Sequence, residues 1–311
     1  MNLFELPQTV SVAKTAAPTW ACGCFVRRSI TFFTGMTDTT TLVVWVQSRG
    51  LTFDLRLAPG RPRVRSIEQL RELPLPDVLR FAEAEGGLAH SKFSAGAGAS
   101  GTMDWGDWVR LQLHDGWPEP GELRRVGDCL TEFAPSGAYV EDWRLQSSSK
   151  GALVGLELVS EVDVDSGELL YSGGGLVVAG DHAGLVRGRP VPLPATGRLV
   201  DVVRASDGDR GLWSDVFRFE ASYAVRSPSG GFVVAASTLP FREGEPLMSL
   251  EGFTLDGDVV VQRAREAGRD LERRFRLETR EPFDAGRSSG SLPEAGRWLI
   301  AEASTLLRSA R

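Results

Sequence analysis

Residues 40–57 read Thr-Thr-Leu-Val-Val-Trp-Val-Gln-Ser-Arg-Gly-Leu-Thr-Phe-Asp-Leu-Arg-Leu. The first eight are rich in β-branched and aromatic side chains, and Ser48-Arg49-Gly50 supplies a turn. From Leu51 the pattern alternates, with apolar Leu51, Phe53, Leu55 and Leu57 set against polar Thr52, Asp54 and Arg56. A period of two places the four apolar residues on one face, so the stretch predicts a β-hairpin with one buried side. Pro59-Gly60-Arg61-Pro62 ends it.

Working outward, Ser66 with Gln69 fits a capping box, and Pro76-Asp77 precedes a helical stretch, Val78–Glu85, that stops at Gly86-Gly87. Two short helices are expected here. Residues 94–101, Ser-Ala-Gly-Ala-Gly-Ala-Ser-Gly, predict a flexible loop, either a lid or a plain surface insertion. Strand patterns then follow at 105–114, 122–126, 129–134, 138–145, 152–163, 168–179 and 183–187, and again at 215–226, 231–239, 247–255, 258–263 and near 271–279. Their connections, such as Ala134-Pro135-Ser136-Gly137, are too short for crossover helices, so neighbours are antiparallel. So many strands leave costly edges unless the sheet closes or stacks, which points to a barrel with a few short helices. Trp298–Leu307 has the spacing of a C-terminal helix.

This reading divides the chain into a partly irregular N-terminal segment (1–39), a first barrel-forming half (40–190), a second β half packed with it (191–281), and a linker with the C-terminal helix (282–311). The joint is placed at Arg189-Pro190-Val191-Pro192-Leu193-Pro194. One large barrel and two barrel-like halves both satisfy the pattern.

Composition narrows the partners. A formal charge of −6 and a pI near 5.3 offer no basic field for a polyanion, so nucleic acid is not expected. No apolar run approaches the roughly 18–20 residues of a membrane span, and the start lacks a basic region followed by an apolar one, which points to a cytoplasmic protein. Cys22, Cys24 and Cys129 form an odd set and read as reduced thiols; Cys22-Gly-Cys24 lacks the further ligands a metal needs, so no metal is expected. A homo-oligomer is compatible with this composition.

The segment Thr41–Leu57, the sequence Trp105-Gly106-Asp107-Trp108 followed by a strand, and Tyr139-x-Glu141-x-Trp143 together resemble a group of poorly characterised bacterial proteins with lipocalin-like folds. The resemblance covers the middle half of the chain. It implies a calycin-type barrel with an interior cavity and brings no assigned chemistry with it.

Candidate chemistry gathers at two places. Tyr139, Glu141 and Trp143 alternate along one strand and share a face. If that face is inside, Glu141 is a buried carboxylate beside aromatic walls, suited to acid/base work; the plainer reading pairs it with an arginine on a neighbouring strand. The second place is His182, after Gly173-Gly174-Gly175 and Gly180, where small residues let a flat ligand approach, with Arg187 and Arg189 in reach of a carboxylate. His182 reads as an acid or base acting with Glu141 and Tyr139, as an axial haem ligand with Arg187 on a propionate, or as a hydrogen-bonded turn histidine. Trp143, Trp108, Trp45 and His114 are candidate substrate contacts. No dinucleotide fingerprint, Walker loop or G-x-S-x-G elbow is present. The expected function is binding, with acid/base transformation of the lyase or isomerase kind, of a small hydrophobic aromatic or terpenoid-like molecule. A haem-dependent oxygenase and a non-catalytic carrier or sensor are the alternatives.

Overall fold

The computed structural model describes residues 1–9, 13–114, 119–193, 197–206, 208–285 and 293–309. It is mainly β, built around a closed eight-stranded antiparallel barrel with a few short helices. The barrel strands are β1 (Gly23–Phe32), β3 (Leu42–Gln47), β4 (Leu51–Leu57), β5 (Glu85–Ala95), β6 (Ser100–Arg110), β7 (Gly121–Val126), β8 (Cys129–Phe133) and β9 (Tyr139–Leu145), with the two-residue β2 (Thr37–Asp38) a spur on β1. Each pairs with the next, and β9 returns to β1 from Phe25↔Leu145 to Phe32↔Tyr139, so no barrel edge is left open. The quoted hairpin is β3–β4, in register from Leu42↔Leu57 to Gln47↔Thr52.

The second sheet contains β10 (Gly151–Asp163), β11 (Leu169–Ser172), β12 (Gly174–Ala179), β13 (His182–Arg187), β14 (Glu220–Arg226), β15 (Phe232–Ser237), β16 (Phe253–Asp256), β17 (Val259–Glu266) and β18 (Arg269–Phe283). Its order is β15-β14-β13-β12-β10-β18-β17-β16, with β11 also on β10, and it remains open. One face packs on the barrel; the other folds over a second core closed by Leu3 and Leu6. Gly184 of β13 shows how near the layers come, because a Cβ there would lie 2.2 Å from Cγ of Phe53.

Several elements differ from the sequence expectation. The chain leaves the barrel at residues 146–150, not at the Pro190 joint, and the described part of the Pro-rich stretch instead leads toward two helices, α3 (Leu199–Ala205) and α4 (Arg210–Val216). Residues 23–32, placed in an irregular segment, form β1; Arg27-Arg28 interrupts the apolar pattern where the strand register shifts between Arg27 and Ser29. Of the two early helices, α1 (Ile67–Arg71) carries the Ser66 cap, whose hydroxyl accepts from Gln69 N at 3.2 Å. Only half of the box forms, since the Gln69 side chain accepts from Arg65 N. The other helix, α2 (Leu75–Ala82), stops early because Gly86 and Gly87 belong to β5; a Cβ on Gly87 would lie 2.6 Å from Val109 O on the adjacent strand. The small-residue stretch 94–101 is a hairpin between β5 and β6, closed by Gly96 N donating to Ser100 O at 2.9 Å, and none of it lines the barrel cavity. A C-terminal helix, α5 (Pro293–Ser309), is present. Pro194, Trp117 and most of the expected linker lie outside the described residues.

Candidate functional site in the barrel

The hairpin that decides the fold also sets the chemistry of the interior. Leu51, Phe53 and Leu55 face outward and are buried against the second sheet and its neighbours, whereas Thr52, Asp54 and Arg56 line the barrel cavity. The apolar stripe therefore glues two layers together, and the polar stripe forms an inner wall.

The cavity is about 770 Å³, a size that suits a small molecule. Its floor is three indoles. Trp45 meets Trp105 edge-on at 6.0 Å and Trp143 at 5.6 Å, with Phe25 beneath at 5.2 Å. Hydrogen bonds fix these rings: Trp45 Nε1 donates to Gln47 Oε1 at 2.9 Å, Thr52 Oγ1 donates to the same oxygen at 2.5 Å, and Trp105 Nε1 donates to Thr52 Oγ1 at 3.1 Å. Trp143 is 1% exposed and its Nε1 has no hydrogen-bond partner among the described residues. Near the floor a short 3-10 helix, Thr19–Ala21, packs on the barrel through Trp20, edge-on to Phe93 at 5.5 Å, and Arg125 donates to Trp20 O.

Trp105 and Trp108 are an odd number of positions apart, so a regular strand would point them to opposite faces. Both line the cavity because β6 is irregular between them: its register against β5 shifts between Leu88 and His90, and Asp107 takes a positive φ of 52°.

One wall carries the titratable groups. β8 and β9 pair with Glu132 opposite Glu141, which sets two carboxyl groups side by side. Glu141 is 2% exposed and ion-paired with Arg27 of β1 at 2.6 Å; Arg27 also reaches Asp38 at 3.0 Å. Glu132 is 5% exposed and accepts from the Tyr139 hydroxyl at 3.3 Å. Desolvation, and then the charge of Glu141, push the Glu132 carboxyl up to about 8. Burial likewise raises the Tyr139 phenol, followed by the nearby charge of Glu132. The wall therefore holds an ion-paired carboxylate next to a carboxyl group that keeps its proton near neutral pH. That arrangement sets a carboxyl group able to donate a proton beside one already held by the Arg27 guanidinium.

Of the residues singled out from the sequence, Tyr139, Glu141, Trp143, Trp108, Trp45 and His114 all line this cavity. His182 and Arg187 do not. His182 is 7% exposed in the second sheet, with Nδ1 at 2.8 Å from the Tyr223 hydroxyl and Nε2 at 2.9 Å from Ser147 O, so both ring nitrogens are engaged. Arg187 is held by Glu161 at 3.0 Å and Glu220 at 3.0 Å, in a buried network that Arg273 and Glu266 extend. A haem held by His182 and Arg187 does not fit these surroundings, and His182 is not placed to act with Glu141 and Tyr139. Gly174 and Gly175 serve the sheet: each has a positive φ, and a Cβ would lie 2.3 Å from Val186 O and 2.1 Å from Leu156 O respectively. Among the described residues no group of three or more His, Cys, Asp and Glu side chains is arranged to hold a metal.

Glu132, Arg27 and Trp105 are site residues that the sequence reading did not select. The first had a usable signal. The tight turn at Ala134-Pro135-Ser136-Gly137 fixes the register of the flanking strands, and counting back from Tyr139 places Glu132 across from Glu141.

No protein-family model matches the chain, and no curated protein matches it in sequence. Among solved structures it is similar to the uncharacterized protein YLR301w from Saccharomyces cerevisiae, at 12% identity and a TM-score of 0.44, over 83% of this chain and 98% of that one. No helix among the described residues is long and apolar enough to cross a membrane.

Proposed function

We propose that the barrel binds a small aromatic molecule against the indole floor, and that Glu132 and Tyr139 exchange protons with it while Glu141 stays paired to Arg27. The observation that carries this reading is the cavity of about 770 Å³ in which Trp45, Trp105 and Trp143 lie beside the Glu132–Glu141 pair. Indole faces supply most of the contact area at low entropic cost, because the rings are already held by packing and by the Gln47 and Thr52 hydrogen bonds. A carboxyl group that titrates near neutrality can both give and take a proton there, and Brønsted behaviour favours such a match.

The test is a thermal-shift and calorimetric screen of small aromatic compounds, repeated on Trp45→Ala and Glu132→Gln. The reading expects a hit whose affinity falls at least about tenfold in the tryptophan variant, the loss of one substantial aromatic contact. Conversion of the hit should be slowed roughly 100-fold or more by Glu132→Gln, the usual scale of general acid/base assistance. A hit that binds both variants as it binds the wild type would place the site elsewhere and end the proposal.

A further inference from the structure

A second pocket opens at the margin of the second core, and it shares no lining residue with the barrel cavity. Its volume is about 360 Å³, at the small end of the range for ligand pockets. In β18, Arg280 pairs with Val154 and Pro282 with Ala152; both partners belong to the second core, so Arg280 stands on the face of the sheet that carries it. Its backbone is pinned, because Arg280 N donates to Thr9 Oγ1 at 3.2 Å and Thr9 N donates to Arg280 O at 3.0 Å. Among the described residues the lining holds three cationic side chains, Lys150, Arg226 and Arg280, and no carboxylate. Two of the three have a counterion outside the lining: Lys150 meets Asp284 at 3.4 Å, and Arg226 meets Asp181 at 3.4 Å while stacking on Phe4. Arg280 has none. Its Nη2 donates to Phe4 O, and neither Nε nor Nη1 has a hydrogen-bond partner among the described residues; Nε is sealed from solvent, whereas Nη1 is open. Burial pulls this guanidinium down from the ordinary arginine value, with no charged neighbour to offset it.

We infer that this pocket binds a small organic carboxylate, whose anionic group sits on Arg280 between Lys150 and Arg226 while its short apolar body lies against Ala152 and Pro282. The inference is independent of the barrel and of the function proposed for it. A partly buried guanidinium without a counterion is costly, and a carboxylate supplies both the missing charge and the acceptors for its open N–H groups. The planar guanidinium fork matches carboxylate geometry. Lys150 and Arg226 add to the attraction from either side, since a concave surface lined by one sign of charge concentrates its field. The charge count favours a carboxylate over a phosphate. With Asp181 and Asp284 already set against Arg226 and Lys150, one positive charge is left, which a monoanion neutralises and a phosphate group near its second ionisation overshoots.

Three probes separate charge from shape: butyrate, its uncharged isostere butyramide, and inorganic phosphate. Each is titrated at low salt into the full chain labelled with ¹⁵N, and the amide resonances of Gly151 and Ala152, which line the pocket, report binding. Butyrate should shift both and saturate, and butyramide should bind at least about tenfold more weakly, the scale of one charge-assisted hydrogen bond. Phosphate should bind no more tightly than butyrate. Arg280→Gln should weaken butyrate by about the same tenfold factor, whereas Lys150→Gln should weaken it by no more than about threefold, because the Lys150 side chain is 81% exposed and its charge is screened by water. The comparison of butyrate with butyramide reads the charge in the unaltered protein, so the test survives a failure of Arg280→Gln to fold. Butyramide bound as tightly as butyrate, butyrate binding unchanged in Arg280→Gln, or no shift at Gly151 and Ala152 with butyrate would each overturn the inference. Phosphate bound tenfold more tightly than butyrate would overturn the carboxylate as the ligand class. None of these results bears on the aromatic cavity of the barrel, which has no residue in common with this pocket.

Discussion

Replacing Glu132 with glutamine should change how stability depends on pH, with a direction set by its raised carboxyl. In the unfolded chain this group titrates near its ordinary value of 4.5; in the barrel, burial and the adjacent Glu141 raise it to about 8. Between those values the folded state holds a proton that the unfolded state has released, so unfolding is favoured progressively as pH rises. The loss begins above the unfolded value and levels off once the folded carboxyl also ionises near pH 8. Each tenfold difference in proton affinity between the two states is worth about 1.4 kcal/mol, so from roughly pH 5 to pH 8 this single residue can cost up to about 4 kcal/mol. Glutamine keeps the shape and cannot ionise. Urea unfolding followed by tryptophan fluorescence at several pH values across that window should therefore show Glu132→Gln gaining on the wild type at every step. Glu122→Gln, on an exposed position of β7, should run parallel to the wild type. A Glu132→Gln advantage that stays constant across the pH range would refute the raised carboxyl and, with it, the role of Glu132 as the proton-holding member of the pair.

Two other perturbations address the scaffold. Arg187→Met should destabilise the protein by about 3 kcal/mol in equilibrium unfolding, because it leaves Glu161 and Glu220, which are 2% and 1% exposed, with one arginine each, Arg273 at 2.7 Å and Arg242 at 2.9 Å; a cost below about 1 kcal/mol would show that the network is more hydrated than its burial implies. Gly184→Ala drives a methyl group into the Phe53 ring and should cost about 1–3 kcal/mol, read as a lowered Tm, whereas Gly231→Ala, where a Cβ meets nothing within 4 Å, should be neutral by comparison.

The barrel was legible where the hydrophobic period agreed with the strand: the β3–β4 hairpin, the run from β7 to β9 and the shared face of Tyr139, Glu141 and Trp143 follow directly from alternation. β1 was not, because Arg27 places a charge on its inward face and the register shifts at that point, so the period breaks where the site needs a cation. β5 was hidden for another reason. Gly86 and Gly87 read as a helix stop, yet they are small because strands and sheets approach them closely. At the site, the direction of the β4 faces decided most. Alternation shows that Leu51, Phe53 and Leu55 are buried, but not that they are buried outside the barrel, against a second sheet, leaving Asp54 and Arg56 to line the inside. Glycines around His182 looked like room for a ligand and proved to be room for neighbouring backbone.

The claim that the barrel interior is the binding site is tested most directly by the indole N–H resonances of protein labelled with ¹⁵N-tryptophan, titrated with the aromatic compound that the ligand screen selects. The account predicts that the Trp45, Trp105 and Trp143 signals move together and saturate. Trp213, buried on α4, and Trp298, exposed on α5, should stay in place. Shifts confined to Trp213 or Trp298, or saturation of binding with the three floor indoles unmoved, would contradict it.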